Sequence, residues 1–144
     1  MPDRLYRGLY ASRTTEAVRE RPSAVEAIVS EAAARNAALG VTGLLLVHDD
    51  WFVQALEGPR RAVSDLLQAI GRDRRHAEME LIGFQPIDQR MFADWTMAQA
   101  RYDPHLASLV LAVQDRDRFD PKRLEPVVVL MLLAEAARQR REAA

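Results

Sequence analysis

The stretch ARNAALGVTGLLLVHDDWFVQALEG, residues 34–58, reads as the end of a helix, an apolar strand, a tight turn and a second strand. Gly40 stands where a helix needs a left-handed residue to stop. Val41 to Val47 and Phe52 to Glu57 are two strands around His48-Asp49-Asp50, close enough to pair as a hairpin. Side chains alternate along a strand, so Gln54 shares a face with Phe52 and Leu56, while Val53, Ala55 and Glu57 share the other. A primary amide between two large apolar side chains must find partners or cost about 1–3 kcal/mol. A polar group is therefore expected opposite Gln54.

Working outward, Leu5 to Ser12 reads as a first strand with Tyr6, Gly8, Tyr10 and Ser12 on one face. Thr14 to Pro22 is polar and ends in a helix-breaking proline, which predicts a loop. Ser23 followed three residues later by Glu26 fits a capping box. Val25, Ile28, Val29, Ala32, Ala33 and Asn36 then recur at helical spacing. Gly58-Pro59 opens a second helix with Val63, Leu66, Leu67 and Ile70 as its apolar stripe. Glu78 to Ile87 reads as a strand alternating at Met79, Leu81 and Gly83. Trp95 to Tyr102 reads as a further strand on which Trp95 and Met97 share a face.

The order β-α-β-β-α-β-β predicts an α+β, ferredoxin-like sheet. Right-handed crossovers place both helices on one sheet face. The other face is left for two C-terminal helices, Pro104 to Val113 and Leu124 to Arg141. The VVVLMLLAEAA run of the second is apolar nearly all round, and is expected to pack on the sheet, on a partner subunit, or on both.

With 144 residues there is enough chain for a proper core. Twenty Lys+Arg stand against 21 Asp+Glu, a formal charge of -1, so there is no basic field to attract nucleic acid. The absence of cysteine rules out disulfides, thiolate nucleophiles and thiolate metal ligands. His48, His76 and His105 lack any metal-ligand spacing. MPDRLYRGLY lacks the apolar core of a signal peptide, and Val127 to Ala134 is far short of the ~20 residues that span a bilayer. A cytoplasmic location is expected.

Taken singly, the polar and bulky residues have ordinary readings. Ile28 and Ile70 read as core, Asn36 as a helix C-cap, Tyr10 as a core tyrosine with a satisfied hydroxyl, and Trp95 and Met97 as buried packing. Asp73, Arg75 and His76 read as a solvated helix end. Together, the segments R-N-x-x-x-G-V-T-G-L-L, F-V-Q-x-L-E-G-P, R-D-R-R-H and R-x-F-A-D-W-T-M occur in an order and at intervals that resemble the BLUF family, the blue-light sensors that use FAD. The resemblance covers roughly residues 5 to 101. A somewhat long loop, Arg13 to Pro22, departs from it.

The resemblance implies a photoreceptor, not an enzyme, made of a flavin-binding unit over residues 1–102 and a helical extension over 103–144. Ile28 and Ile70 would flank the ring of a noncovalent FAD, and Asn36 would reach its carbonyl and ring N–H edge. Asp73, Arg75 and His76 would line its polar side. Tyr10, in the Tyr-x-Ser context, would donate an electron and a proton, with Tyr6 as the competing tyrosine. Gln54 would change its hydrogen bonding, and Trp95 and Met97 would relay the change by exchanging places. With no effector domain in these residues, output would pass to a separate effector protein or through a homodimer or higher oligomer, without nucleic acid or membrane. Lack of cysteine excludes a cysteinyl-flavin adduct. Two rivals are a ferredoxin-like assembly module that has lost the cofactor, and a hydrolase of the acylphosphatase type. The second needs an anion-cradling loop after the first strand, and Ala-Ser-Arg-Thr-Thr-Glu does not form one.

Overall fold

A computed structural model describes residues 4–114 and 119–143. Five strands form one mixed sheet: β1 (Leu5–Thr14), β2 (Thr42–His48), β3 (Trp51–Pro59), β4 (His76–Ile87) and β5 (Gln99–Ala100). Their order across the sheet is β4-β1-β3-β2-β5. The first four neighbours pair antiparallel, and β5 runs parallel to β2. This is the ferredoxin-like α+β arrangement with one strand added at the β2 edge.

The helices are α1 (Glu16–Arg19), α2 (Ala24–Leu39), α3 (Arg60–Arg72), α4 (Pro104–Leu111) and α5 (Pro126–Ala143). They divide the core in two. On one sheet face, Ile28 and Ala32 of α2 and Val63, Leu66, Leu67 and Ile70 of α3 close over Tyr10, Leu45, Phe52 and Leu56. On the other, Leu106 and Val110 of α4 and Val129, Leu132, Leu133 and Ala137 of α5 cover Leu9, Leu44, Leu46, Val53 and Ala55. Alternate residues of β1, β2 and β3 serve opposite cores, as the pleat requires. The C-terminal helices thus cover the face that the two crossovers leave open. Val127 and Met131 remain exposed on the outer side of α5.

Several local expectations are corrected. The segment between β1 and α2 is not all loop: it contains α1, whose buried Val18 joins the α2–α3 core. Ser23 makes no side-chain cap bond, because it already lies in a right-handed helical turn (φ −83°, ψ −3°) where a capping side chain needs extended backbone. Gly40 does end α2, at φ 69°, and its N–H bonds the Asn36 carbonyl. The Asn36 side chain is therefore free of any capping duty.

Strand β4 does not keep the simple alternation. Pairing with β1 slips between Leu9 and Tyr10 and between Ala11 and Arg13, and Glu78 sits at φ 49°. Each slip inserts a residue and reverses the parity of the residues beyond it. Met79 and Phe84, an odd number of residues apart, consequently join the same core, Ile82 joins the other, and Leu81 is left exposed.

The last strand is the largest correction. Only Gln99 and Ala100 are strand. Trp95 to Ala98 run as irregular chain, so period-two alternation does not govern them.

Candidate functional site

Tyr10 and Gln54 are directly opposed residues of the antiparallel β1–β3 pair. Opposed side chains on one face of such a pair are neighbours, and the Tyr10 hydroxyl donates to Gln54 Oε1 at 2.5 Å. Gln54 Nε2 in turn donates to Met97 Sδ at 3.2 Å. Tyr10 is wholly buried, and Gln54 and Met97 nearly so. The polar partner that Gln54 demands is thus Tyr10 on one side and a thioether on the other. Burial pushes the Tyr10 phenol far above its ordinary pKa, so it is held neutral and as a donor. Tyr6 sits elsewhere: it pairs with Gly58, and its ring lies 5.2 Å from that of Phe84.

Trp95 and Met97 lie on opposite sides of the sheet. Met97 belongs to the core under α2 and α3, whereas half-buried Trp95 packs against the core under α4 and α5. Arg140 and Arg141 of α5 stand over the Trp95 ring at 5.6 and 5.9 Å. The Trp95 carbonyl accepts from Gly43 N–H at 3.0 Å and the Ala98 carbonyl from Leu45 N–H at 2.9 Å. Between these anchors the chain passes the β2 edge and turns Met97 inward. The shared strand face expected for Trp95 and Met97 is overturned, because no strand exists there to impose it.

Asn36, on the inner face of α2, is fully buried. Its Nδ2 donates to the Thr96 carbonyl at 2.8 Å. Its Oδ1 has no partner, the one such buried side-chain atom among the described residues. An unpartnered buried acceptor calls for a donor that the protein does not provide. A flavin ring presents an N–H between two carbonyls, and Asn36 Oδ1 fits that donor. Ile28 of α2 and Ile70 of α3 are buried in the same core. A flavin is therefore consistent with the residues present.

The end of α3 carries a second polar group. Asp73 accepts from Arg75 through its backbone N–H at 2.9 Å and its guanidinium at 2.7–3.2 Å. These bonds hold the Asp73 carboxyl below its usual range. Arg75, in the turn after α3, also donates to Glu31 of α2 at 2.8 Å, tying that turn to α2. His76 Nδ1 meets the Ser12 hydroxyl at 2.8 Å, with its ring 4.5 Å from that of Phe52 and 6.0 Å from that of Tyr10. Burial lowers the His76 pKa to about 4, so the ring is neutral at pH 7. Asp73 and Arg75, partly exposed, thus link the turn after α3 to α2, while the more buried His76 bonds to Ser12 of β1.

Sequence reading assigned no role to Glu57, Arg7 and Arg90. Glu57 is fully buried and opposed to Arg7 across β1 and β3, with Arg7 Nε at 2.8 Å. A signal for it existed: Glu57 shares its strand face with Val53 and Ala55, and a carboxylate there must be paired. Among the described residues no group of acidic or histidine side chains could hold a metal ion, and no helix is long and apolar enough to cross a membrane.

Comparison with known proteins bears on the family and the fold. A family model for sensors of blue light using FAD matches residues 5–98. The photoactivated adenylate cyclase subunit beta of Euglena longa is 40% identical over 77 residues, 53% of this chain and 9% of that protein. The subunit alpha of Euglena gracilis is 43% identical over 59 residues, 41% of this chain and 6% of that protein. The chain therefore spans about a tenth or less of the length of these relatives. Among solved structures, BlsA in its photo-activated state superposes with a TM-score of 0.86 at 26% identity, covering 92% of this chain and 94% of that one. BlrB in its dark state superposes with a TM-score of 0.71 at 34% identity, covering 96% and 99%. The chain belongs to the BLUF family of blue-light sensors that use FAD.

Proposed function

We propose that residues 4–102 form a light-sensing unit in which Tyr10 and Gln54 are the switch and Met97 is its first reader. The observation that carries this reading is the unbroken chain from the Tyr10 hydroxyl through the Gln54 amide to the Met97 thioether, buried throughout. When bound, FAD supplies the blue-light chromophore and an excited acceptor for one electron and one proton. Ile28 and Ile70 would flank its ring, the unpartnered Asn36 Oδ1 would accept from the ring N–H, and Asp73, Arg75 and His76 would order the polar end of the site.

Tyr10 would give an electron and its phenolic proton together to the excited flavin, and would take both back afterwards. The buried site that resists a phenolate also disfavours a tyrosyl cation, so the proton leaves with the electron, along the bond to Gln54 Oε1. Electron and proton return to Tyr10, and the Gln54 amide is left turned or tautomerised. A primary amide both donates and accepts, so this reverses what Gln54 offers to Tyr10 and Met97 without moving the backbone. Met97 loses its donor and can yield its place to Trp95. The departure of Trp95 removes the ring over which Arg140 and Arg141 stand, loosening the end of α5.

Residues 103–143 then act as the output extension of a sensor that is not itself an enzyme. The signal goes to a separate effector in the cytoplasm. Exposed Leu111, Val127 and Met131 on α4 and α5 suit a homodimer or higher oligomer.

An absorption spectrum in darkness and again after blue light tests the proposal. A flavin band that moves slightly to the red and recovers in darkness is expected. Protein that stays colourless with added FAD would instead be an assembly module without cofactor. A band that only bleaches would mean that Tyr10 and Gln54 are not the switch.

A further inference from the structure

β4 and β5 lie at opposite edges of the sheet, so the chain from Asp88 must cross β1 and β3 before Trp95 and Ala98 bond to the β2 edge. It is held at the middle strand by one buried carboxylate. Glu57 Oε1 accepts from the Met91 N–H at 2.9 Å and the Phe92 N–H at 2.8 Å, while Oε2 accepts from Arg7 at 2.8 Å. Arg90 clamps the same point from outside, donating to the Thr42 hydroxyl at 2.8 Å and to the carbonyls of Glu57 and Gly40 at 2.9 and 2.7 Å. Five residues beyond Phe92, the same chain delivers Met97 to Gln54. Glu57 and Gln54 are three residues apart on β3 and so face opposite ways, one holding the crossing and the other meeting its end.

We infer that Glu57 is a positioning residue for the switch, setting how far the crossing chain reaches so that Met97, and not Trp95, is seated at Gln54 in the dark. This rests on the light-sensing reading of Gln54. A buried ion pair is weak evidence for stability, and its best-attested use is to specify one arrangement among near-equals. Trp95 and Met97 are two such near-equals: both are large, apolar and carried on irregular chain, and no strand alternation chooses between them. The choice falls to the anchor upstream. Two backbone N–H groups and a guanidinium converge on this carboxylate, and a glutamine there would turn an NH2 toward donors.

The test uses the full chain loaded with FAD and labelled with 13C at its methionine methyls, the Met97 signal being identified by Met97→Leu. In Glu57→Gln the dark-state Met97 resonance should leave its wild-type position, and the red-shifted form should return to the dark state about tenfold faster, since the crossing resists movement less. If Glu57→Gln does not fold, Arg90→Lys keeps the charge without the fork and should move the same resonance. Val129→Ala, in the α5 core, should lower stability and leave that resonance in place. An unmoved Met97 signal in the folded variants overturns the inference, as does an equal movement in Val129→Ala. The resonance is read in darkness, so a wild-type protein with no red shift would defeat the light-sensing reading separately from the anchoring role of Glu57.

Discussion

The Tyr10 hydroxyl and the Gln54 amide oxygen lie 2.5 Å apart because their residues are directly opposed on the two central strands of the sheet. The contact is set by strand register, not by loop geometry. A one-residue slip of β1 against β3 would turn Gln54 to the other core. Such a slip would part Gln54 from Tyr10 and buried Glu57 from Arg7, and the cost of unpaired buried polar groups opposes it.

Replacing Gln54 by leucine should leave flavin binding intact and abolish the red shift. It also strands the Tyr10 hydroxyl in an apolar site, at a cost of about 1–3 kcal/mol. Light-minus-dark difference spectra read the first effect and urea unfolding the second. A full red shift in Gln54→Leu would refute the glutamine switch.

Tyr10→Phe removes the phenolic electron and proton source while keeping the ring that packs near His76. The normal photocycle should disappear, and Tyr6→Phe should leave it unchanged. Transient absorption after a blue pulse distinguishes the two. The opposite pattern would transfer the donor role to Tyr6.

Gly43→Ala should loosen the seat of Met97. A Cβ at Gly43 would stand 2.3 Å from the Ala55 carbonyl oxygen and 2.9 Å from Met97 Cε, so strand and thioether must both shift. A loss of about 1–3 kcal/mol in unfolding free energy is expected. Gly83→Ala, whose Cβ meets nothing within 4 Å, is the control and should change little.

Stability should fall on mild acidification through His76. Its folded pKa is depressed to about 4, against about 6.5 when unfolded. Above pH 6.5 both states hold the ring neutral and its contribution is complete. Between about pH 6.5 and 4 the unfolded chain takes up a proton that the folded protein refuses, so stability drops, by up to about 2–3 kcal/mol. Asp73, also depressed, adds its own loss as the pH falls through the carboxylate range. Denaturant midpoints measured from pH 7.5 to 4.5 should slope in the wild type and flatten in His76→Gln. An equal slope in both would locate the titration elsewhere.

Much of the fold was legible in the sequence. The α2 and α3 stripes, the hairpin, the facing of Gln54 with Phe52 and Leu56, and the C-terminal cover all come from periods of 3.6 and 2 and from a glycine at a helix end. Gln54 announced itself as a polar residue out of place, and its strand parity put it with Phe52 and Leu56; only the register of β1 against β3 set it opposite Tyr10. Where the reading failed, the local rule had been suspended by something distant. Ser23 does not cap because its own backbone already lies in a helical turn, and β4 loses its alternation where its pairing with β1 slips.

The sequence by itself determined β1, α2, the β2–β3 hairpin and α3, how they connect, and the alternation of side chains along β1, β2 and β3, since those depend on neighbours a few positions away. Only the tertiary structure decided that Met97 lies at Gln54 while Trp95 lies under Arg140 and Arg141, and that Glu57 and Arg90 hold the chain between them. The segment from Asp88 to Ala98 has no strand or helix of its own to give its side chains a period. Its course is imposed by hydrogen bonds from residues more than 30 positions away, and such contacts exist only once the sheet has formed.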